Sequence, residues 1–202
     1  MVEEHHNKPV GNCNLMSTDS FCLPKLRERI SSRLGLCDVR ELARQVSVSE
    51  VAFGELFRML SDSDKRTSDN AAWILTHLPP SAWPWLENHR DSLIDETMRT
   101  ASVTKRRLTM VLLERQAVGK ENVRTDFLDF CFGRLLDPAE SYGVRSLAAK
   151  LAFKQCAHYG ELQTELRHTL ELLDRETLKP GLLHTQKQLL KKLKCNPKNS
   201  VF

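Results

Sequence analysis

Three groups of residues in this chain have types and spacings that could do chemistry. The first is Cys156 with His158, a thiol and an imidazole two residues apart, which could act as nucleophile and base if the fold supplied a third group. The second is His5, His6, Cys13 and Cys22, which are metal-ligand types but lack the fixed CxxC or HxxxH spacing of a zinc site. The remaining histidines read as caps or solvated residues. His77 precedes Leu78 and Pro79, where an imidazolium would favour the negative end of a helix dipole, and His168 has Glu165 and Glu171 at local helical spacing. There is no glycine-rich phosphate loop, HExxH or EF-hand pattern. No catalytic, metal or cofactor residue is assigned on this basis, and no cofactor is expected.

The third group suits binding rather than catalysis. Trp73, Trp83 and Trp85 form an aromatic cluster, and a tryptophan at an exposed groove is a strong binding anchor. Core or staple packing is the favoured reading of the cluster, with partial exposure of Trp73 the feature to look for. Lys65 and Arg66, then Lys105, Arg106 and Arg107, then Arg145 recur at the start of successive predicted helices. A helix start is a poor place for positive charge unless something compensates, because the dipole there is already positive. These side chains read either as solvated turn residues paired with Asp62, Asp64, Asp69 or Glu140, or as an edge that meets an acidic partner or a phosphate backbone. Lys65, Arg66, Trp73, Lys105, Arg106, Arg107 and Arg145 are therefore the candidate partner-binding residues.

Composition bounds the remaining readings. At 202 residues the chain can bury a core of its own, and 41% hydrophobic with 28% charged residues is the profile of a helix-rich globular protein. A net charge of +4 falls well short of the clustered positive charge that drives tight nucleic-acid binding. Six scattered cysteines read as reduced thiols, the start MVEEHHNKPVGN has no signal-peptide pattern, and no apolar run approaches a membrane span. The expectation is a cytoplasmic protein with no membrane partner.

The elements that would position these residues are helices. Residues 1–18 lack periodicity and read as a mobile tail, and a helix is expected from Asp19 with Leu26, Ile30 and Leu34 on one side and Gly35 as its stop. Val39, Leu42, Ala43 and Val46 follow at helical spacing, then Ser49 caps a helix carrying Phe53, Leu56, Phe57 and Leu60. This stretch, DVRELARQVSVSEVAFGELFRML, resembles a bacterial helix-turn-helix, but Val51 to Leu60 offers only Glu55 and Arg58 among apolar residues, so packing is the preferred reading.

From there the pattern repeats. Helix, Asp-containing turn SDSDKRTSDN and a helix with Ala71, Ile74, Leu75 and Leu78 make one unit. Trp83, Leu86, Leu93 and Ile94, the turn RTASVTK, and Leu108, Val111 and Leu112 make a second. A third has Phe127, Leu128, Cys131, Phe132, Leu135 and Leu136, then an amphipathic helix with Val144, Leu147, Ala148, Leu151 and Ala152. The fourth runs from Gly160 through Leu162, Leu166, Leu170 and Leu173, turns at Lys179, Pro180 and Gly181, and ends with Leu182, Leu189, Leu190 and Leu193. Matching Ala72, Thr109 and Ala149 gives spacings of 37 and 40 residues, within the range of HEAT and armadillo units.

AAWIL, LDFCFGRLLDP and HYGELQTELRHTLE, over about Arg27 to Leu193, resemble a family of small bacterial HEAT/armadillo-like proteins. Gly160 stands where the resemblance places a proline. The motifs are packing and capping residues and imply a fold, not an activity. Relatives in that family are sometimes labelled adenylosuccinate lyase, yet the flexible Ser-Ser-x-Met-Pro-x-Lys loop of that superfamily is absent here. The expected fold is all-α, a short right-handed α-α superhelix of about four helical pairs over residues 19–195, with a loose tail at 196–202. The expected function is non-catalytic binding of a protein partner through the concave face, with nucleic acid along a mildly basic edge, or an enzyme without a recognisable motif, as the alternatives.

Overall fold

A computed structural model describes residues 23–194, and among them every regular element is helical. The expected tails, the start of the first helix at Asp19, and His5, His6, Cys13, Cys22 and Cys195 lie outside the described residues. Helix α1 (Leu23–Ser31) and α2 (Leu36–Val46) precede α3 (Glu50–Arg58), which continues as a 3-10 turn through Ser61. Then come α4 (Lys65–Leu75), α5 (Trp83–Asn88), α6 (Arg90–Arg99), α7 (Val103–Arg115), α8 (Thr125–Leu136), α9 (Tyr142–Cys156), α10 (Gly160–Glu171) and α11 (Pro180–Lys194).

Four helical hairpins follow from this order: α3 packs on α4, α6 on α7, α8 on α9 and α10 on α11. The second helices α4, α7, α9 and α11 also pack side by side in that sequence, and α1 and α2 close the row against α4. The protein is an all-α solenoid. Each unit has a first helix in one layer and a second helix in the other, and one continuous core runs between the layers.

Local sequence starts the helices as expected. The Ser49 hydroxyl accepts from the Ala52 N–H, Asp64 from Thr67 (2.8 Å), Ser102 from Lys105 (3.3 Å) and Ser141 from Val144 (3.3 Å). Asp64 is thus a cap and not a turn residue, and KRTSDN belongs to the first two turns of α4 where an extended turn was expected. Helix formers with a good cap outweighed the run of polar residues.

Inward faces differ from the expected stripes in the second and third units. In α7 the buried residues include Met110, Leu112 and Leu113, while Val111 is only half-buried. In α8, Phe127, Leu128, Cys131 and Leu135 are buried, Phe132 is half-buried and Leu136 faces solvent. Helix α9 touches α7, α8, α10 and α11, so one apolar stripe cannot serve it. It buries Ala148, Ala149 and Ala152, whose small side chains let neighbouring helices approach closely, while Leu147 stays half-exposed.

Leu135 and Leu136 provide a sharp test, being adjacent and 0% and 46% exposed. Leu135→Ala is expected to cost about 2–5 kcal/mol of stability, whereas Leu136→Ala should fall within about 0.5 kcal/mol. Urea unfolding followed by circular dichroism measures both.

Candidate functional site

The hairpin geometry determines where the basic side chains go. When two helices run antiparallel, the start of the second lies beside the end of the first, whose last carbonyls have no partner within their own helix and carry partial negative charge. Ser68, Lys105, Arg145 and Gln186 occupy one repeat position, spaced 37, 40 and 41 residues apart. All four are buried, and each donates to carbonyls at the end of a first helix.

Lys105 Nζ reaches back one unit to the Leu60 carbonyl (2.8 Å) and also donates to Ser68 Oγ (2.7 Å) and Glu96 Oε1 (2.6 Å). Ser68 Oγ donates to the same Leu60 carbonyl (2.6 Å). Arg145 Nε donates to the Leu135 carbonyl (2.9 Å), with its guanidinium over the Tyr142 ring, and Gln186 Nε2 donates to the carbonyls of Leu170 (2.7 Å) and Leu173 (3.0 Å). All three ammonium hydrogens of Lys105 are engaged, and its partner Glu96 also accepts from Ser61 Oγ (2.8 Å).

Three of the seven candidate residues are therefore interior struts. Lys105 and Arg145, expected to line up along an outer edge, are 7% and 8% exposed and point into the hairpin. Arg106 lies between units, where Nη1 donates to the nearly buried carboxylate of Glu140 (2.6 Å) and Nη2 to the Thr100 carbonyl (2.9 Å). Lys65 is exposed but forms an ion pair with Asp69, and Asp62 takes Arg27 as its partner. Arg66 and Arg107 extend into solvent. Trp73 is half-buried, in edge contact with the His77 ring. Of the other tryptophans, Trp85 packs on Phe53 and Trp83 is 38% exposed.

Counted over whole helices, charge divides between the two layers, a feature that the total for the chain conceals. Together α4, α7, α9 and α11 carry thirteen lysines and arginines against two acids, Asp69 and Glu114. The first helices α3, α5, α6, α8 and α10 carry eleven acids against five basic residues. Net charge hides this division because the layers, at +11 and −6, partly cancel. Counting charge helix by helix would have revealed it.

The outward stripes of the second helices combine cations with apolar side chains. On α4, Arg66 and Trp73 share a face, with His77 two residues past the helix end; on α7, Val103, Arg107 and Val111; on α9, Leu147, Lys150 and Lys154; on α11, His184, Gln188 and Lys191. Lys150 and Lys191 are exposed. Lys154 is engaged with the carbonyls of Glu114 and Gln116 at the end of α7.

The thiol and imidazole at 156 and 158 do not form a nucleophile system. Cys156 is buried in the core, and that burial, helped by Glu165, pushes its thiol up to about 12. His158 is exposed, and its Nε2 lies 3.0 Å from the Val118 carbonyl. The helix-turn-helix likeness resolves as packing, since α3 buries Ala52, Phe53 and Leu56 while Arg58 pairs with Glu55. Among the described residues no group of three or more His, Cys, Asp or Glu could hold a metal ion, and no helix is long and apolar enough to cross a membrane.

Stacked hairpins with capped joints define a helical-repeat solenoid, and family comparison makes this specific. The HEAT repeat domain matches residues 26–193, and the chain belongs to that family. Neither a curated protein nor a solved structure gave a match.

Two tests follow from the buried groups. Lys105→Ala leaves Glu96 and the Leu60 carbonyl short of a donor in the interior and is expected to cost about 3–5 kcal/mol, with much of it recovered by pairing Lys105→Met with Glu96→Leu. Arg66→Ala and Arg107→Ala should stay within about 0.5 kcal/mol in the same urea titration. The second concerns pH. Cys131 and Cys156 have thiols raised by burial, so their contribution to stability is complete below the pKa of an unfolded thiol and is lost as pH rises through the folded values. Unfolding midpoints should fall from about pH 9 upward. Both thiols should resist alkylation in the folded protein, as mapped by mass spectrometry.

Proposed function

We propose that this HEAT-repeat protein is a non-catalytic interaction module that holds a protein partner along the concave, second-helix side of the solenoid. The observation that carries this reading is the outward stripe of those helices, where Trp73, Val111 and Leu147 are half-exposed beside the free cations Arg66, Arg107 and Lys150. Half-exposed apolar side chains flanked by charge are what a protein interface offers at its core and rim. Repeat stacking supplies the second requirement, an extended surface to which each unit adds one helix.

Nucleic-acid binding is the weaker alternative. Lys105, Arg106 and Arg145, half of the six basic residues first considered for such an edge, are consumed by intramolecular partners. An enzymatic role would need convergent titratable groups in a pocket. The large concavities here are open depressions, such as one of about 680 Å³ beside Asp64, Lys65 and Arg66, where Lys65 and Asp69 pair with each other.

A photo-crosslinking amino acid placed singly at Val111 and at Leu147, with Asp129 on the first-helix side as the comparison, tests this assignment in the native cell. Discrete adducts at Val111 and Leu147 and none at Asp129 are the expected result. Adducts confined to Asp129 would reject it.

A further inference from the structure

Each second helix presents at least one exposed cation outward, and α11 adds Lys187, Lys192 and Lys194 to Lys191. Arg66 stands on α4, Arg107 on α7, Lys150 on α9 and Lys191 on α11, each exposed, while α9 and α11 carry no acid at all. Relative to Ser68, Lys105, Arg145 and Gln186, these cations sit two residues before, two after, five after and five after, so the row runs obliquely; with helix axes about 8–10 Å apart and a rise of about 1.5 Å per residue, successive cations are roughly 8–12 Å apart. A polyproline-II segment advances about 9.3 Å for every three residues and returns to the same face, so an acid at every third position would meet one cation per helix. The intervening side chains would face the half-buried Trp73, Val111 and Leu147.

Duplex DNA fits the same row poorly. It presents a phosphate charge about every 1.7 Å, or roughly 18 over the 30 Å that four helices span, and four spaced cations neutralise few of them. The face is also interrupted by apolar side chains where a nucleic-acid groove would be continuously basic. The first helices carry more acids than bases, even with Glu96 buried and Glu55, Asp95 and Asp126 paired, so an acidic chain is favoured on the second-helix side.

We propose that the partner docks through an extended acidic stretch of protein, with carboxylates at every third residue received by Arg66, Arg107, Lys150 and Lys191. This rests on the reading that the second-helix side binds protein, and adds the chemistry of what it binds.

The test uses the full chain and a fluorescein-labelled peptide of about 12 residues built from Glu-Leu-Pro triplets, a length that covers the four cations. Fluorescence anisotropy should report saturable binding that weakens with added salt. Binding should weaken about tenfold or more when Gln replaces Glu in the peptide, and by roughly threefold for each of Arg66→Glu, Arg107→Glu, Lys150→Glu and Lys191→Glu. Because these side chains are exposed, circular dichroism should show the folded spectrum for each variant. The corresponding Gln variants give the same ranking should a charge reversal perturb the fold.

Equal binding of the Glu and Gln peptides, indifference to the four substitutions, or tighter binding of duplex DNA through the same cations would each overturn the proposal. Crosslinks at Val111 and Leu147 together with failure of the acidic peptide would remove the acidic partner and leave the binding face standing. Loss of the crosslinks themselves would remove the face.

Discussion

The structure depends on how the end of each first helix is satisfied. A helical hairpin buries carbonyls that have no partner in their own helix, and an unmet buried acceptor costs about 1–3 kcal/mol. Ser68, Lys105, Arg145 and Gln186 meet that need from one repeat position with four different donors. Because the donor sits in the first two turns of the second helix, it also fixes how far one helix slides along the other. The stripe facing outward on each second helix is set by the same contact.

This contact accounts for the placement of charge that seemed wrong for a helix start. A cation beside the N-terminus of α7 or α9 is unfavourable with respect to its own helix but lies against the negative end of an antiparallel neighbour. Lys105 goes further and joins two units, with the Leu60 carbonyl from one and Glu96 from the next. Arg106 and Glu140 make a similar junction one unit along. The same residue types then serve outside, where Arg66 and Arg107 are exposed.

Much of the fold was legible in the sequence because burial is periodic there. Phe53 and Leu56 in α3, Leu166 and Leu170 in α10, and Leu189, Leu190 and Leu193 in α11 are buried as their spacing predicts, and the Ser49 cap lies where the chain announces it. Reading failed where a helix is covered on several sides, since Met110 and Leu113 then bury as completely as Leu112 and no single stripe can be picked out. It failed again for Lys105 and Arg145, because a long basic side chain can face either way and only its spatial neighbour decides. The charge difference between layers was legible all along, but only after the chain is divided into helices.

Contacts between units extend the whole length of the array. Asn70 donates to the carbonyls of Ile30 and Ser32, Arg115 to that of Thr76, Lys154 to those at the end of α7, and the hydroxyls of Ser146 and Thr185 meet between α9 and α11. In a linear array the balance between intrinsic unit stability and coupling to neighbours decides whether units melt singly or together. Here carbonyls of one unit are met by side chains of the next, which couples neighbouring units. Each joint is thus specific to the pair of units that forms it, and the repeats are not interchangeable parts.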